Sequence, residues 1–108
     1  MIVSYGGKMS LLLNEKLPIP GLYETEGQSP EDTICWVRFI VPGSSWQWYV
    51  IEYEPKTGVF YGLVNGFEKE LGYFALSDLN TVYAVPDPSF SPTPLSRVWD
   101  MCEGEEEE

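Results

Sequence analysis

The run "TICWVRFIV", Thr33 to Val41, constrains the fold more than any other part of the chain. Nearly every position is β-branched or aromatic, which favours an extended strand. Apolar side chains occupy both parities. Ile34, Trp36 and Ile40 fall on one face, and Cys35, Val37, Phe39 and Val41 on the other. A strand of that kind needs cover on both sides, so the chain must build a layered fold around a central sheet. After the turn "PGSS", a second run repeats the problem from Trp46 to about Tyr53. Strict alternation would place Trp46, Trp48, Val50 and Glu52 on one face, and Gln47, Tyr49, Ile51 and Tyr53 on the other. The tryptophan face is expected to be core, with Trp36, Trp46 and Trp48 largely buried. The Tyr49 and Tyr53 face is expected to be the more exposed one, because a phenol keeps a polar tip for water or a partner.

The remaining elements follow from punctuation. Ser10 is placed to cap a short helix that Pro18 ends near Leu17. "PIPGLYETEGQSPED" reads as a loop rich in proline, glycine and acid. "EPKTG" makes a hairpin loop, "VFYGLVNG" a third strand, "FEKELG" a turn and "YFAL" a short fourth strand. Ser77 is expected to cap one helical turn over "DLN". "VPDPSFSPTP" carries four prolines and is expected to be an extended loop. Thr93 and Pro94 then read as a cap and first turn, and Leu95, Val98, Trp99 and Cys102 share one helical face. The expected class is α+β: an antiparallel meander of about four strands flanked by short N- and C-terminal helices. Residues 1–9 read as an appendage, 10–102 as a single domain and 103–108 as a disordered acidic tail.

Charge narrows the function. The formal net charge is −11. Six of the seventeen acidic groups fall from Asp100 onward, where there is no basic residue, so residues 1–99 carry −5. Such a chain is repelled by nucleic acid and by anionic lipid. Its six lysines and arginines are scattered. A charged partner should therefore be basic. No run of about 18 apolar residues is present to span a bilayer, and Leu11 to Leu13 is too short for a signal-peptide core. Nothing supports a disulfide between Cys35 and Cys102, and the chain reads as cytoplasmic with reduced thiols.

Catalytic chemistry finds few carriers. The chain has no histidine, which removes the usual neutral-pH base and the commonest zinc ligand. No phosphate-binding glycine loop with lysine and no calcium-loop spacing occurs. Glu52 with Glu54, and Glu68 with Glu70, form carboxylate pairs at hairpin ends, where they are expected to be solvated rather than catalytic. Cys35 lies in an apolar strand with nothing to activate it. No cofactor is indicated, and the expectation is a protein that is not an enzyme.

Four segments together carry a resemblance: "LLLNEKLPIPGLYETEG", "VRFIVPGSSWQWYVIEY", "YGLVNGFEKELGYFALSDL" and "SFSPTPLSRV". They resemble a small bacterial family, domain-of-unknown-function family 2958, over about residues 10–98, with "EKELGYFALSDL" the most specific piece. The resemblance implies an origin in plasmids, phages or other mobile elements. It brings no catalytic residue, so none is carried over. Charge and resemblance together suggest a non-enzymatic interaction protein, in its most concrete form an anti-CRISPR or anti-restriction inhibitor that occupies a basic nucleic-acid-binding surface. The alternative is a structural or accessory domain whose acidity serves solubility alone. The candidate protein-binding residues are Glu24, Glu26, Glu31 and Asp32 on the acidic loop, Glu52 and Glu54 at the hairpin end, and Tyr49 and Tyr53 on the sheet.

Overall fold

A computed structural model describes residues 17–107, with side chains described through Cys102. The expected helix from Ser10 and the appendage at 1–9 lie outside these residues. Five strands form one antiparallel sheet: β2 (Val37–Ile40), β3 (Gln47–Glu54), β4 (Val59–Asn65), β5 (Lys69–Ala75) and β6 (Val85–Pro86), in the order β5-β4-β3-β2-β6. β2 to β5 follow the expected meander, but the fourth strand is longer than "YFAL": Lys69 to Gly72, expected in the turn "FEKELG", pair with β4, and Leu76 begins a helix. β6 adds a strand from within the proline-rich segment. A second, two-stranded sheet pairs β1 (Ile34–Cys35) with β7 (Thr93–Pro94). The helices are α1 (Leu76–Thr81) and α2 (Leu95–Glu107), the latter running past the last apolar position of its stripe.

The run from Thr33 to Val41 is not one strand. It breaks at Trp36, whose amide donates to the Val50 carbonyl at 2.7 Å, so β1 leaves the large sheet and pairs elsewhere. Trp36 is thereby only half-buried, as is Trp46, whereas Trp48 is buried as expected.

Both faces of the sheet are core. On one face Phe39, Trp48, Val50, Tyr53, Phe60 and Phe74 pack under Leu79 of α1 and Ala84. Phe60 stacks between Tyr53 at 4.7 Å and Phe74 at 5.2 Å between ring centroids. On the other face Cys35, Tyr49, Ile51 and Leu63 pack under Leu95, Val98 and Cys102 of α2. Burial of these groups drives the assembly, at roughly 25 cal/mol per Å² of apolar surface removed from water.

A register shift in β3 decides which residue meets which face. Val50 pairs with Gly62 and Glu52 with Tyr61, leaving Ile51 as the extra residue of a bulge. Gly62 is required opposite it, since a Cβ there would lie 1.8 Å from the Tyr49 carbonyl oxygen. The bulge inverts the alternation beyond Ile51. Tyr53 turns onto the Trp48 face, and Glu52 turns onto the face of Ile51 and Tyr61.

Two expected caps are corrected. α1 starts at Leu76, and Asp78 accepts the Ala75 amide at 3.0 Å, so Ser77 lies inside the helix. Thr93 belongs to β7 and its hydroxyl donates to the Ser91 carbonyl. The first amides of α2, from Leu95 and Ser96, donate instead to the Thr33 and Pro30 carbonyls. Those bonds satisfy helix donors that would otherwise be orphaned, and they bind the acidic loop to α2. Among the described residues no helix is long and apolar enough to cross a membrane.

Candidate functional site

The expectation that Tyr49 and Tyr53 form an exposed face is overturned. They are 1% and 3% exposed. The Tyr49 hydroxyl donates to Gln47 at 2.7 Å, and burial raises its pKa above the ordinary phenol value. The polar tip of the phenol does not keep Tyr49 at the surface, because the apolar stripe of α2 covers it. The bulge then moves Tyr53 into the other core.

Glu52 is also corrected. It is not a solvated hairpin-end acid but 2% exposed, and it holds the acidic loop against the sheet. Its carboxylate accepts the Tyr23 amide at 2.8 Å, the Thr25 amide at 3.0 Å and the Thr25 hydroxyl. A buried carboxylate without such donors would be costly. These bonds also hold Tyr23 at φ +72, a left-handed conformation unfavourable for a residue with a Cβ. Glu54 points elsewhere and accepts the Lys56 amide within the β3–β4 hairpin. It does not extend the loop's acidic surface.

The strained turn presents the Tyr23 ring to solvent, 60% exposed, beside Tyr73 of β5, 55% exposed. The two ring centroids are 6.2 Å apart, and Tyr73 lies 5.1 Å from Tyr61. Tyr61 and Tyr73 are cross-strand partners in register. The three rings border a cleft of about 330 Å³ that also has Glu26, Glu52 and Leu71 in its walls. Partial desolvation raises the Tyr73 phenol above its ordinary pKa, and Tyr23 and the Glu52 and Glu26 carboxylates raise it further. The cleft therefore combines π-faces with negative potential, a combination that attracts guanidinium and ammonium groups.

Glu24, Glu26, Glu31 and Asp32 are all exposed, as expected for the acidic loop. Their surroundings differ. Glu26 lines the tyrosine cleft. Glu31 lines a neighbouring cleft of about 470 Å³ with Asp100, Trp99 and Leu71. Asp32 accepts from the Ser29 hydroxyl at 3.1 Å. A third cleft, of about 410 Å³, lies across β5 between Trp46, Phe67, Glu68 and Glu70. Trp46 sits flat there because residue 66 is glycine: a Cβ would lie 2.3 Å from its ring.

Tyr23, Tyr61, Tyr73, Phe67 and Leu71 did not emerge from the sequence reading. Tyr23 lies in the segment expected to be a loop rich in proline, glycine and acid, where charge rather than the ring draws attention. The Tyr61–Tyr73 pairing depends on a register that needs the β4–β5 turn to be placed at Gly66 to Glu68.

No group of three or more acidic or cysteine side chains converges to hold a metal among the described residues. The Cys35 thiol is pushed up to about 12 by burial and then by nearby Cys102, so it stays protonated and unreactive near neutral pH. The chain matches no protein-family model, no curated protein and no solved structure.

Proposed function

We propose that the protein is a non-enzymatic acidic interaction protein that docks on a basic protein surface. One observation carries this reading: the exposed carboxylates of residues 24–32, of which Glu26 and Glu31 line aromatic clefts, have no cationic side chain paired to them among the described residues. The ion pair among those residues, Arg38–Asp87, lies at the β6 edge of the sheet. Carboxylates left without counter-charge favour a partner that supplies it, and complementary charge speeds encounter.

In its most concrete form the protein acts in the cytoplasm as an anti-CRISPR or anti-restriction inhibitor. It occupies a basic groove meant for nucleic acid in a host defence complex. The resemblance to a mobile-element family supports that setting, and the acidic surface supports competition with phosphates.

The test is charge reversal. A partner is captured from the host, and its association rate is followed across salt concentrations. Changing Glu24, Glu26, Glu31 and Asp32 to lysine should slow association and flatten its salt dependence while the fold persists. Within that set Glu26→Lys should have the largest single effect, because it charges the tyrosine cleft. Unchanged rate and salt dependence in the fourfold variant would leave the acidity as a solubility device.

A further inference from the structure

We propose that the open edge of β5 is a docking edge for an extended, arginine- or lysine-bearing segment of the partner, added as a further strand of the sheet. The inference rests on the acidic-docking reading and names the element that performs it.

Hydrogen-bond register provides the first support. Leu76 donates to the Gly58 carbonyl and Gly66 to the Glu68 carbonyl. In an antiparallel pair, bonded and non-bonded positions alternate. Residues 70, 72 and 74 therefore bond to β4, and the backbone groups of Leu71 and Tyr73 point outward. The next outward amide, from Ala75, is already taken by Asp78. β5 ends the strand order, has seven residues and pairs with β4 without a bulge. It lacks proline. An edge of that length, whose outward backbone groups at Leu71 and Tyr73 have no partner among the described residues, is a template for another strand.

Surface chemistry identifies the occupant. The three clefts described above all border β5. Two lie on the α2 side, at Leu71 and Tyr73, and one lies on the opposite side, at Glu70 and Gly72. Each has two carboxylates in its walls: Glu26 with Glu52, Glu31 with Asp100, and Glu68 with Glu70. None is lined by lysine or arginine among the described residues, although the Lys69 ammonium lies 4.6 Å from the centre of the Trp99 ring that walls the Glu31–Asp100 cleft. A strand added about 4.8 Å from β5 sends alternate side chains to the two faces. On either face a long cationic side chain meets an aromatic wall and a carboxylate. Phe67, 93% exposed, and Leu71, 45% exposed, give its apolar stem something to cover. A second copy of this chain fits poorly, since it would bring the same carboxylates against each other.

The probe is a capped octapeptide of alternating arginine and valine, compared with the same peptide N-methylated at its four central amides. Methylation keeps charge and side-chain sequence but blocks strand pairing on both of its edges. The full chain should bind the unmethylated peptide at least tenfold more tightly, with slowed hydrogen exchange at the Leu71 and Tyr73 amides. The methylated peptide should not slow them. Leu71→Pro, which removes an outward amide and spares the β4 ladder, should abolish the difference. If that variant does not fold, the peptide comparison decides alone. Equal affinity for the two peptides, no binding of either, or protection elsewhere overturns the inference. So does concentration-dependent protection of these amides without peptide, which would make the edge a self-interface. The broader reading fails separately: a captured partner that ignores the loop reversal removes it, whether or not β5 pairs.

Discussion

At one edge of the five-stranded sheet, β6 contributes two residues, Val85 and Pro86, paired with Ile40 and Phe39. Pro86 has no amide to offer, Pro88 follows, and the Asp87 carboxylate is held by Ser89 and Arg38. Arg38 also lies over the Phe90 ring at 5.4 Å. At the other edge, β5 contributes seven residues without proline or bulge, and exposes Leu71 and Tyr73. Proline and a short strand protect the β6 edge by geometry. At the β5 edge no proline or bulge among the described residues does this, and what stands against pairing between copies is charge: Glu68 and Glu70 flank Lys69 there in a chain of net charge −11. Geometric protection excludes every partner. Electrostatic protection excludes only acidic ones, so an edge guarded this way remains available to a basic strand.

If β5 is a permanent platform rather than a loosely attached flap, its inner face must be strongly fixed. Phe74 joins the Phe60 ring stack and is buried. Phe74→Ala should cost about 3–5 kcal/mol and lower the Tm by roughly 15 °C or more. A change of a few degrees would show that the edge is mobile and that its openness is a by-product. The next effect concerns the loop beside it. Glu52→Ala leaves the Tyr23 and Thr25 amides without their acceptor, at an expected cost of about 2–3 kcal/mol. Limited proteolysis should then cut residues 21–28 first. Glu52→Gln should fall between, since one carboxylate oxygen becomes a donor facing donors.

Sequence reading reached the meander, the α2 stripe, the buried Cys35 and the exposed acidic loop because each rests on local periodicity or composition. It did not reach the bulge at Ile51. The chain signals it only through Gly62, eleven residues further along and on another strand, where strand glycines have several uses. From that one shift came the wrong faces for Tyr53 and Glu52. Trp46 is expected in the core by parity, yet it lies at the sheet's end over Gly66 and is only half-buried. The tyrosine cleft is assembled from residues 23, 61 and 73, whose proximity depends on register and on a long-range carboxylate bond rather than on spacing.

The β6 edge makes a smaller and pH-dependent prediction. Hydrogen bonds from Ser89, then from Arg38, lower the Asp87 pKa from 3.8 to about 2. A carboxyl depressed in the folded state stabilises above its unfolded pKa and loses that contribution as pH falls through the folded one. Wild-type stability, followed by urea midpoint, should therefore drop between about pH 4 and pH 2 by more than that of Asp87→Asn. Ser89→Ala should shrink the difference. Identical acid profiles would mean that the ion pair does not fasten this edge, and that proline alone closes it.

The smallest effect on stability tests the claim about charge most directly. Glu68 and Glu70 are exposed, and among the described residues no lysine or arginine is paired with either. Replacing both with glutamine should change stability by less than about 0.5 kcal/mol, as is usual for surface positions. It should nonetheless change association. Glutamine is nearly isosteric and keeps the strand's shape, so only the repulsion between copies is lost. The outward amides of Leu71 and Tyr73 would then face another copy's edge with Phe67 and Leu71 still exposed beside them. Sedimentation velocity should show the double variant self-associating at concentrations where the wild type does not, and added salt should bring the wild type toward the same behaviour by screening its charge. Double replacement of Glu24 and Asp32, which line none of the clefts along β5, should leave self-association unchanged. If that control associates as readily as the edge variant, net charge rather than its placement on β5 keeps the copies apart, and the two edges differ in geometry only.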